Sequence, residues 1–198
     1  MEMSLITLDA ARLPAVVSAL ERGLHPDNTR GETGARDLIA RIETDPEAFL
    51  AAQDDPEARA GDITLPDGSI IKRLPGLHRW MWDGEICGVI GFRWAAAGVP
   101  ELPPHVLGHI GYAVAPWKRG RGYATRALAL MLPIARDVGL PWVELTTDEG
   151  NLASQKTILR NGGRLVGKFD KAAAYGGGPA LRYRIDLDTG RRNDKRMD

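Results

Sequence analysis

The chain has 198 residues, and its 26 Lys+Arg balance 26 Asp+Glu. Zero net charge argues against nucleic acid as the main partner, because phosphate binding favours a basic excess. The single cysteine, Cys87, excludes an internal disulfide or a cysteine-based zinc site and fits a reducing cytoplasm.

A hydrophobic fraction of 43% supplies enough apolar material for one globular core. Met1 to Leu8 lacks a basic stretch followed by a long apolar run, so it does not read as a signal peptide. No segment approaches the roughly 20 apolar residues that cross a bilayer. Leu5 to Leu8 reads as a short strand. Asp9 then offers a cap, and Leu13, Val16, Val17 and Leu20 recur at helical spacing. His25 to Gly34 is polar and glycine-marked, a loop. Leu38, Ile39, Ile42, Phe49 and Leu50 indicate two helical pieces, the second capped at Asp45-Pro46.

From Gly61 the pattern turns to strands. Ile63 to Leu65 and Ser69 to Lys72 flank Pro66-Asp67-Gly68 as a hairpin. Leu77 to Trp82 and Glu85 to Trp94 flank Asp83-Gly84, the best hairpin turn in the chain. Val99 to Pro104 is a proline-rich loop, and Gly108 to Ala115 is another strand. Gly122 to Val138 is helical, with a kink or break expected at Pro133, which lacks the amide hydrogen a helix interior uses. Trp142 to Thr147 is a strand, and Asn151 to Arg160 a helix ended by Asn161-Gly162-Gly163. Arg164 to Phe169 and Ala180 to Leu187 close the order, joined by a glycine-rich segment at Tyr175 to Gly178. The polar, highly charged stretch 190–198 reads as a solvated, flexible tail. The sum is a mixed α/β sheet with helices on its faces.

The most informative segment runs from Val114 to Thr125. A strand ends at Pro116, and a glycine-rich turn, Arg119-Gly120-Arg121-Gly122-Tyr123-Ala124, opens a helix. The first amides of a helix lack partners inside it and point outward at its positive end, which suits an anion. Gly120 and Gly122 let backbone approach a diphosphate, and Ala124 is small. Thr125 adds a hydroxyl, and Lys118, Arg119 and Arg121 add positive charge. A P-loop needs Gly-x-x-x-x-Gly-Lys-Ser/Thr, which is absent. A dinucleotide fingerprint needs glycine where Thr125 stands.

Arg119-x-x-Gly122-x-Ala124 resembles the acetyl-CoA motif of the GNAT superfamily of N-acetyltransferases, a likeness that extends upstream through Val114-x-Pro116. Thr147 to Ser154, followed by Asn161-Gly162-Gly163, is similar to a bacterial subgroup of predicted acetyltransferases in that superfamily. The resemblance covers Leu77 to Phe169 and implies a GNAT-like domain over 1–189. Its mixed, mostly antiparallel sheet would be flanked by helices and splayed between the strands near 108–115 and 142–147. Acetyl-CoA would be the acyl donor, its pantetheine in that gap against backbone near Ala113 and Val114. Its diphosphate would lie on amides of Arg119, Gly120, Arg121, Gly122, Tyr123, Ala124 and Thr125. A backbone amide of the first strand would polarise the thioester carbonyl. Asn151, with Ser154 one turn further on, would meet the pantetheine arm; a helix cap is the competing role for Asn151.

The resemblance further implies direct transfer, in a ternary complex, to an amine of a small molecule or peptide in the cytoplasm, without metal, membrane or nucleic acid. A homodimer is left open. Such transfer needs a base for the amine and an acid for the leaving thiolate. Many GNAT enzymes carry that acid as a Tyr where Ile158 stands, and an aromatic where Gly163 stands. The substitutes are Tyr112, with sheet packing as its competing role, and Asp148 and Glu149, with a solvated turn as theirs. His109 faces opposite to Tyr112 by strand alternation. Tyr175 lies in the glycine segment. Trp80, Trp82, Trp94 and Trp117 read as core, with a wall for an acceptor as the rival role. The missing Tyr motivates a second reading, a CoA-binding module without catalysis.

Overall fold

The structure, a computed structural model, describes residues 2–26, 30–64 and 70–187. Strand β1 (Ser4–Ile6) leads to a 3-10 turn at Ala10–Arg12, where the Asp9 side chain accepts from the Arg12 amide. Helices α1 (Leu13–Glu21), α2 (Gly31–Thr44) and α3 (Pro46–Ala51) follow. The loop expected over His25 to Gly34 is therefore shorter, because α2 already begins at Gly31. Asp45 caps α3, accepting from the Ala48 amide at 2.9 Å. Short strands β2 (Asp54–Asp55), β3 (Ile63–Thr64) and β4 (Ile70–Ile71) come next. β3 pairs with β4 as the sequence predicts, while the turn expected at Pro66-Asp67-Gly68 lies outside the described residues. So does the expected tail.

The remaining elements are β5 (Gly76–Trp82), β6 (Ile86–Arg93), β7 (Ile110–Val114), α4 (Tyr123–Asp137), β8 (Trp142–Asp148), α5 (Leu152–Arg160), β9 (Arg164–Asp170) and β10 (Pro179–Asp186). α4 runs through Pro133 without the expected break. Pro133 and Ala129, whose carbonyl loses its amide partner, are both exposed, so water can satisfy the freed oxygen.

The strands form a sheet ordered β1-β5-β6-β7, with β2 also on β5, and a second sheet ordered β8-β10-β9. Both are antiparallel throughout. This is the mixed α/β, mostly antiparallel arrangement the sequence predicts, parted between β7 and β8. One apolar cluster under α4 spans both sheets, joining Ala127, Leu128, Met131 and Ala135 to Ile90, Phe92, Ile110, Val143, Leu145, Tyr183 and Ile185. A second lies on the opposite face of the larger sheet, where α1, α2 and α3 bring Val16, Leu20, Ile42 and Phe49 onto Trp80 and Val89. Trp80 is buried there and donates its indole N–H to Gln53 Oε1 at 2.9 Å, the core role rather than an acceptor wall.

The two sheets touch at one end of the β7–β8 gap. The His109 amide donates to the Glu144 carbonyl at 2.7 Å, and the Glu144 amide donates to His109 Nδ1 at 2.9 Å. Burial holds the His109 imidazole down at about 4, against the pull of Glu144 and nearby carbonyls, so the ring stays neutral and Nδ1 remains an acceptor. Gly108 makes room for this contact: an added Cβ would stand 2.9 Å from the Glu144 carbonyl oxygen. Gly108→Ala is expected to force this junction apart and cost about 1–3 kcal/mol, read as a lower denaturation midpoint at unchanged m-value. An unchanged midpoint would show that the strands have slack there.

Candidate active site

Hydrogen-bond parity shows what lines the gap. Arg93 N donates to His109 O and Ala115 N to Cys87 O, which places 111, 113 and 115 in the bonded positions facing β6, while at 109 the carbonyl faces β6 and the amide crosses to Glu144. The amides and carbonyls of Ile110, Tyr112 and Val114 therefore face away from β6, into the gap. Ala113, expected beside the pantetheine, turns its main chain toward Val89 of β6, whereas Tyr112 and Val114 turn theirs to the gap. On the other side, Leu187 N to Pro141 O and Glu149 N to Pro179 O put the odd positions of β8 against β10. Trp142, Glu144, Thr146 and Asp148 thus present their main chains to the gap. The edges are held at the His109–Glu144 end and part toward Val114 and Asp148.

The glycine turn sits at the open end. Pro116–Lys118 forms a 3-10 turn, and Gly120 and Gly122 adopt φ of +76° and +77°, a left-handed geometry that glycine takes without strain. Nothing lies within 4 Å of a Cβ added at either. Lys118 N and Arg119 N return to the carbonyls of Ala115 and Pro116, and Arg126 N returns to that of Gly122. Between them, the amides of Gly120, Arg121, Gly122, Tyr123, Ala124 and Thr125 have no hydrogen-bond partner among the described residues. Six consecutive unpaired N–H groups at the start of a 15-residue helix form an anion cradle.

The charges around it are sorted. Lys118 is buried and donates to both Asp83 oxygens at 2.9 and 2.8 Å, with Glu85 at 2.8 Å, so it is not the phosphate cation the sequence suggested. Tyr123 donates to Asp83 at 2.5 Å. Arg22 reaches Glu85 at 3.2 Å and lies over the Trp117 ring at 4.0 Å. The hairpin turn, the end of α1 and the start of α4 are thereby riveted together under the cradle. Burial pushes the Asp83 carboxyl up, but hydrogen bonds from Lys118, Tyr123 and Cys87 outweigh it and hold the group well below its ordinary range. Burial likewise pushes the Cys87 thiol up to about 12, so it is inert as a nucleophile. Arg119 and Arg121 are exposed and form no ion pair among the described residues; Arg119 Nε donates to the Val114 carbonyl at 3.3 Å, across the gap's mouth.

The predicted arm and catalytic residues distribute unevenly. Asn151 caps α5, its Oδ1 accepting from Ser154 N at 3.1 Å, which leaves its amide nitrogen for a ligand. The Tyr112 hydroxyl stands 2.9 Å from Ser154 Oγ, so β7 and the first turn of α5 meet at the gap. Burial pushes the Tyr112 phenol up, against bonds to Ser154 and Thr157, and keeps it protonated. Thr125 turns its hydroxyl to Thr157 at 3.5 Å. Asp148 pairs with Lys171 at 2.5 Å and Glu149 with Lys168 at 2.7 Å, so neither stands as an unpaired base. Tyr175 donates to the His105 carbonyl at 2.7 Å. Ile158 is wholly buried, and a Cβ at Gly163 would lie 2.4 Å from its Cγ2, which is why no aromatic follows Gly162. Sequence reasoning missed Asp83 as the anchor of Lys118; the clue was a lysine beside the glycine turn together with an acidic hairpin.

Residues 32–164 match the family model described as the acetyltransferase (GNAT) domain. Comparison with curated proteins finds no match. Among solved structures, the microcin C7 self-immunity acetyltransferase MccE, in complex with acetyl-CoA and AMP, is 15% identical over 94% of this chain and 93% of its own, with a TM-score of 0.59. RimL, a ribosomal L7/L12 alpha-N-protein acetyltransferase in complex with coenzyme A, is 17% identical over 94% and 95%, with a TM-score of 0.60. The protein yncA from Salmonella typhimurium, with its cofactor acetyl-CoA, is 13% identical over 98% of each chain, with a TM-score of 0.56. At such identities the likeness is one of fold.

The Asp83–Lys118 pair yields a pH signature. A carboxyl depressed in the folded state contributes stability above its unfolded value, near 3.8, and loses it as pH falls toward the lower folded value. Asp83→Asn, which strands a buried lysine, is expected to cost about 3–5 kcal/mol at neutral pH. The difference from wild type should shrink below about pH 4. A constant difference from pH 3 to 7 in thermal melts would show that the pair is not the anchor.

Proposed function

This chain belongs to the GNAT acetyltransferase family, and on that premise we propose that it moves an acetyl group from acetyl-CoA directly to an amine while both are bound. The carrying observation is the run of six unpaired amides, Gly120 to Thr125, at the mouth of a gap edged by free strand backbone. Such a cradle fits a diphosphate, and the gap fits a pantetheine that pairs with strand edges. MccE and yncA, which share the fold, hold acetyl-CoA. Arg119 and Arg121 flank the cradle with the charge that buried Lys118 cannot supply.

In the reaction the amine nitrogen attacks the thioester carbonyl carbon. An N–C bond forms, the C–S bond breaks, the nitrogen gives up a proton and the sulfur gains one. The outward main-chain amide of Tyr112 or Val114 is set to steady the carbonyl oxygen. The Tyr112 phenol, protonated and poised by Ser154, is the proton donor to sulfur. It reaches α5 from the strand side, near the helix whose position 158 is aliphatic. Asp148 and Glu149, each tied to a lysine, are set aside as bases.

Gly122→Asp should weaken acetyl-CoA binding at least about 100-fold, as a carboxylate meets the diphosphate in the cradle. Unchanged affinity by calorimetry would remove the turn from the site. Tyr112→Phe should lower kcat by about 10²–10⁴ with acetyl-CoA affinity retained. An unaltered kcat would transfer the acid role elsewhere, while tight acetyl-CoA binding without turnover on any amine would favour the CoA-binding module.

A further inference from the structure

With acetyl-CoA entering beside α4 and α5, those helices and the core close one face of the gap, so an amine must reach the thioester from the other. The floor on that side is low. Gly91 and Gly111 are cross-strand partners on β6 and β7, and the atom nearest a Cβ added at Gly111 is a guanidinium nitrogen of Arg93, 3.8 Å away. Val143, Leu145, Tyr183 and Ile185 face the core under α4, so by strand alternation Glu144, Thr146 and Asp148 of β8 and Arg182 and Arg184 of β10 project to the acceptor side. Both arginines are spent on Glu144, at 3.4 and 2.8 Å.

Two connections stand on this side. The one between β6 and β7 brings the Pro100 carbonyl to the His109 ring, which meets Trp142 edge-on at 5.7 Å. The one between β9 and β10, Lys171 to Gly178, is a compact strap. Lys171 N donates to Gly178 O at 3.0 Å, and Tyr175 N and Gly177 N donate to Ala172 O at 2.9 and 3.2 Å. Gly176, Gly177 and Gly178 hold φ of +85°, +62° and +78°, a run that other residues would enter only with strain. Lys171 ties the strap to the edge of the gap, pairing with Asp148 at 2.5 Å while 15% of its side chain meets solvent. Half-buried Tyr175 reaches the other connection, donating its hydroxyl to His105 O at 2.7 Å. His105 lies just upstream of His109 and β7. This bond therefore joins the strap of the smaller sheet to the chain that feeds the larger one, across the gap.

We propose that the strap 171–178 is a gate over the acceptor entrance, that Tyr175 is its latch, and that the latched gate admits slender amines while bulky ones enter only when it opens. The inference rests on the acetyl-transfer reading above. The latch is a single neutral hydrogen bond to a main-chain carbonyl, so its loss changes an opening equilibrium severalfold rather than unfolding the loop. The hinge is the glycine run beside β10: nothing lies within 4 Å of a Cβ added at Gly177 or Gly178, so no packing holds that end. The Lys171 end stays moored by Asp148. Tyr175 thereby acts on acceptor choice through the strap, as a positioning residue, and takes no part in the bond changes.

The test uses Tyr175→Phe, which keeps the ring and removes the latch. Acetyl-CoA held by excess protein is challenged with hydroxylamine or with O-benzylhydroxylamine, each rate taken relative to that with free acetyl-CoA. In both cases the nitrogen bonds to the acetyl carbon, the C–S bond breaks and the proton lost from nitrogen passes to sulfur, giving a hydroxamate and CoA. Opening is read in parallel from hydrogen exchange of the Gly176 and Gly177 amides. The variant should raise that exchange about fivefold and raise the O-benzylhydroxylamine rate by the same factor, because the bulky reagent samples the open population. The hydroxylamine rate and the calorimetric affinity for acetyl-CoA should stay unchanged. A strap that merely braced the fold would move both rates together, and that result overturns the gate. So does unchanged exchange, an unchanged O-benzylhydroxylamine rate, or equal relative rates for the two reagents in wild type; acetyl transfer stands in each case. Wild-type protein that binds no acetyl-CoA overturns acetyl transfer and the gate together.

Discussion

The pair of hydrogen bonds between His109 and Glu144 is the constraint from which the site follows. Among the described residues it ties the larger sheet to the smaller at a single point and leaves the rest of both facing edges unpaired. An exposed strand edge is normally a liability, open to pairing with any extended chain. Here the edges of Tyr112, Val114 and Thr146 face each other across a gap, sheltered by α4 and α5. Pairing along the whole length would have made one continuous sheet with no slot. No contact at all would have left two sheets free to move independently. The histidine acts as a backbone surrogate, accepting the amide that a strand carbonyl would otherwise take, and it can do so because burial keeps its ring neutral.

A second tie holds the other end. Lys118, buried among Asp83 and Glu85, fixes the turn that leads into α4. Desolvating an ammonium is costly, and two carboxylates with a phenol on one of them offset that cost. The anion cradle is therefore made of main-chain N–H groups whose direction is set by this network, and the mobile surface arginines only add to it. Rigid dipoles at a helix start and flexible charges at its rim divide the work of positioning and attraction between them.

Periodicity and turn chemistry made most of the architecture legible in advance. The helix at Asn151 was readable from its cap, the β5–β6 hairpin from Asp83-Gly84, and the cradle from Gly120 and Gly122 in a strand-to-helix context. What stayed hidden depends on contacts between distant segments. Nothing local in Lys118 shows that its charge is spent on a hairpin 35 residues away. Ala113 and Val114 look equivalent in sequence, and only the register with β6 decides which of them offers its amide to the gap. Likewise, Arg182 and Arg184 alternate with Tyr183 like any strand residues, and their meeting with Glu144 emerges once β10 lies beside β8. Asp148 and Glu149 read as candidate bases because their lysine partners lie 19 or more residues further on.

The packing of Ile158 against Gly163 bears on how this protein can change. The helix position that elsewhere hosts a phenol is here a filled apolar socket, and the following glycine has lost the space for any side chain. Position 163 is closed twice over, since a methyl there would lie 2.4 Å from the Ile158 Cγ2 and 2.9 Å from the Ile158 carbonyl oxygen. Trimming the Ile158 side chain alone would not open position 163, because the Ile158 carbonyl oxygen stays in the way. Glycine is thereby fixed at 163 by the backbone of α5 as much as by the side chain packed against it.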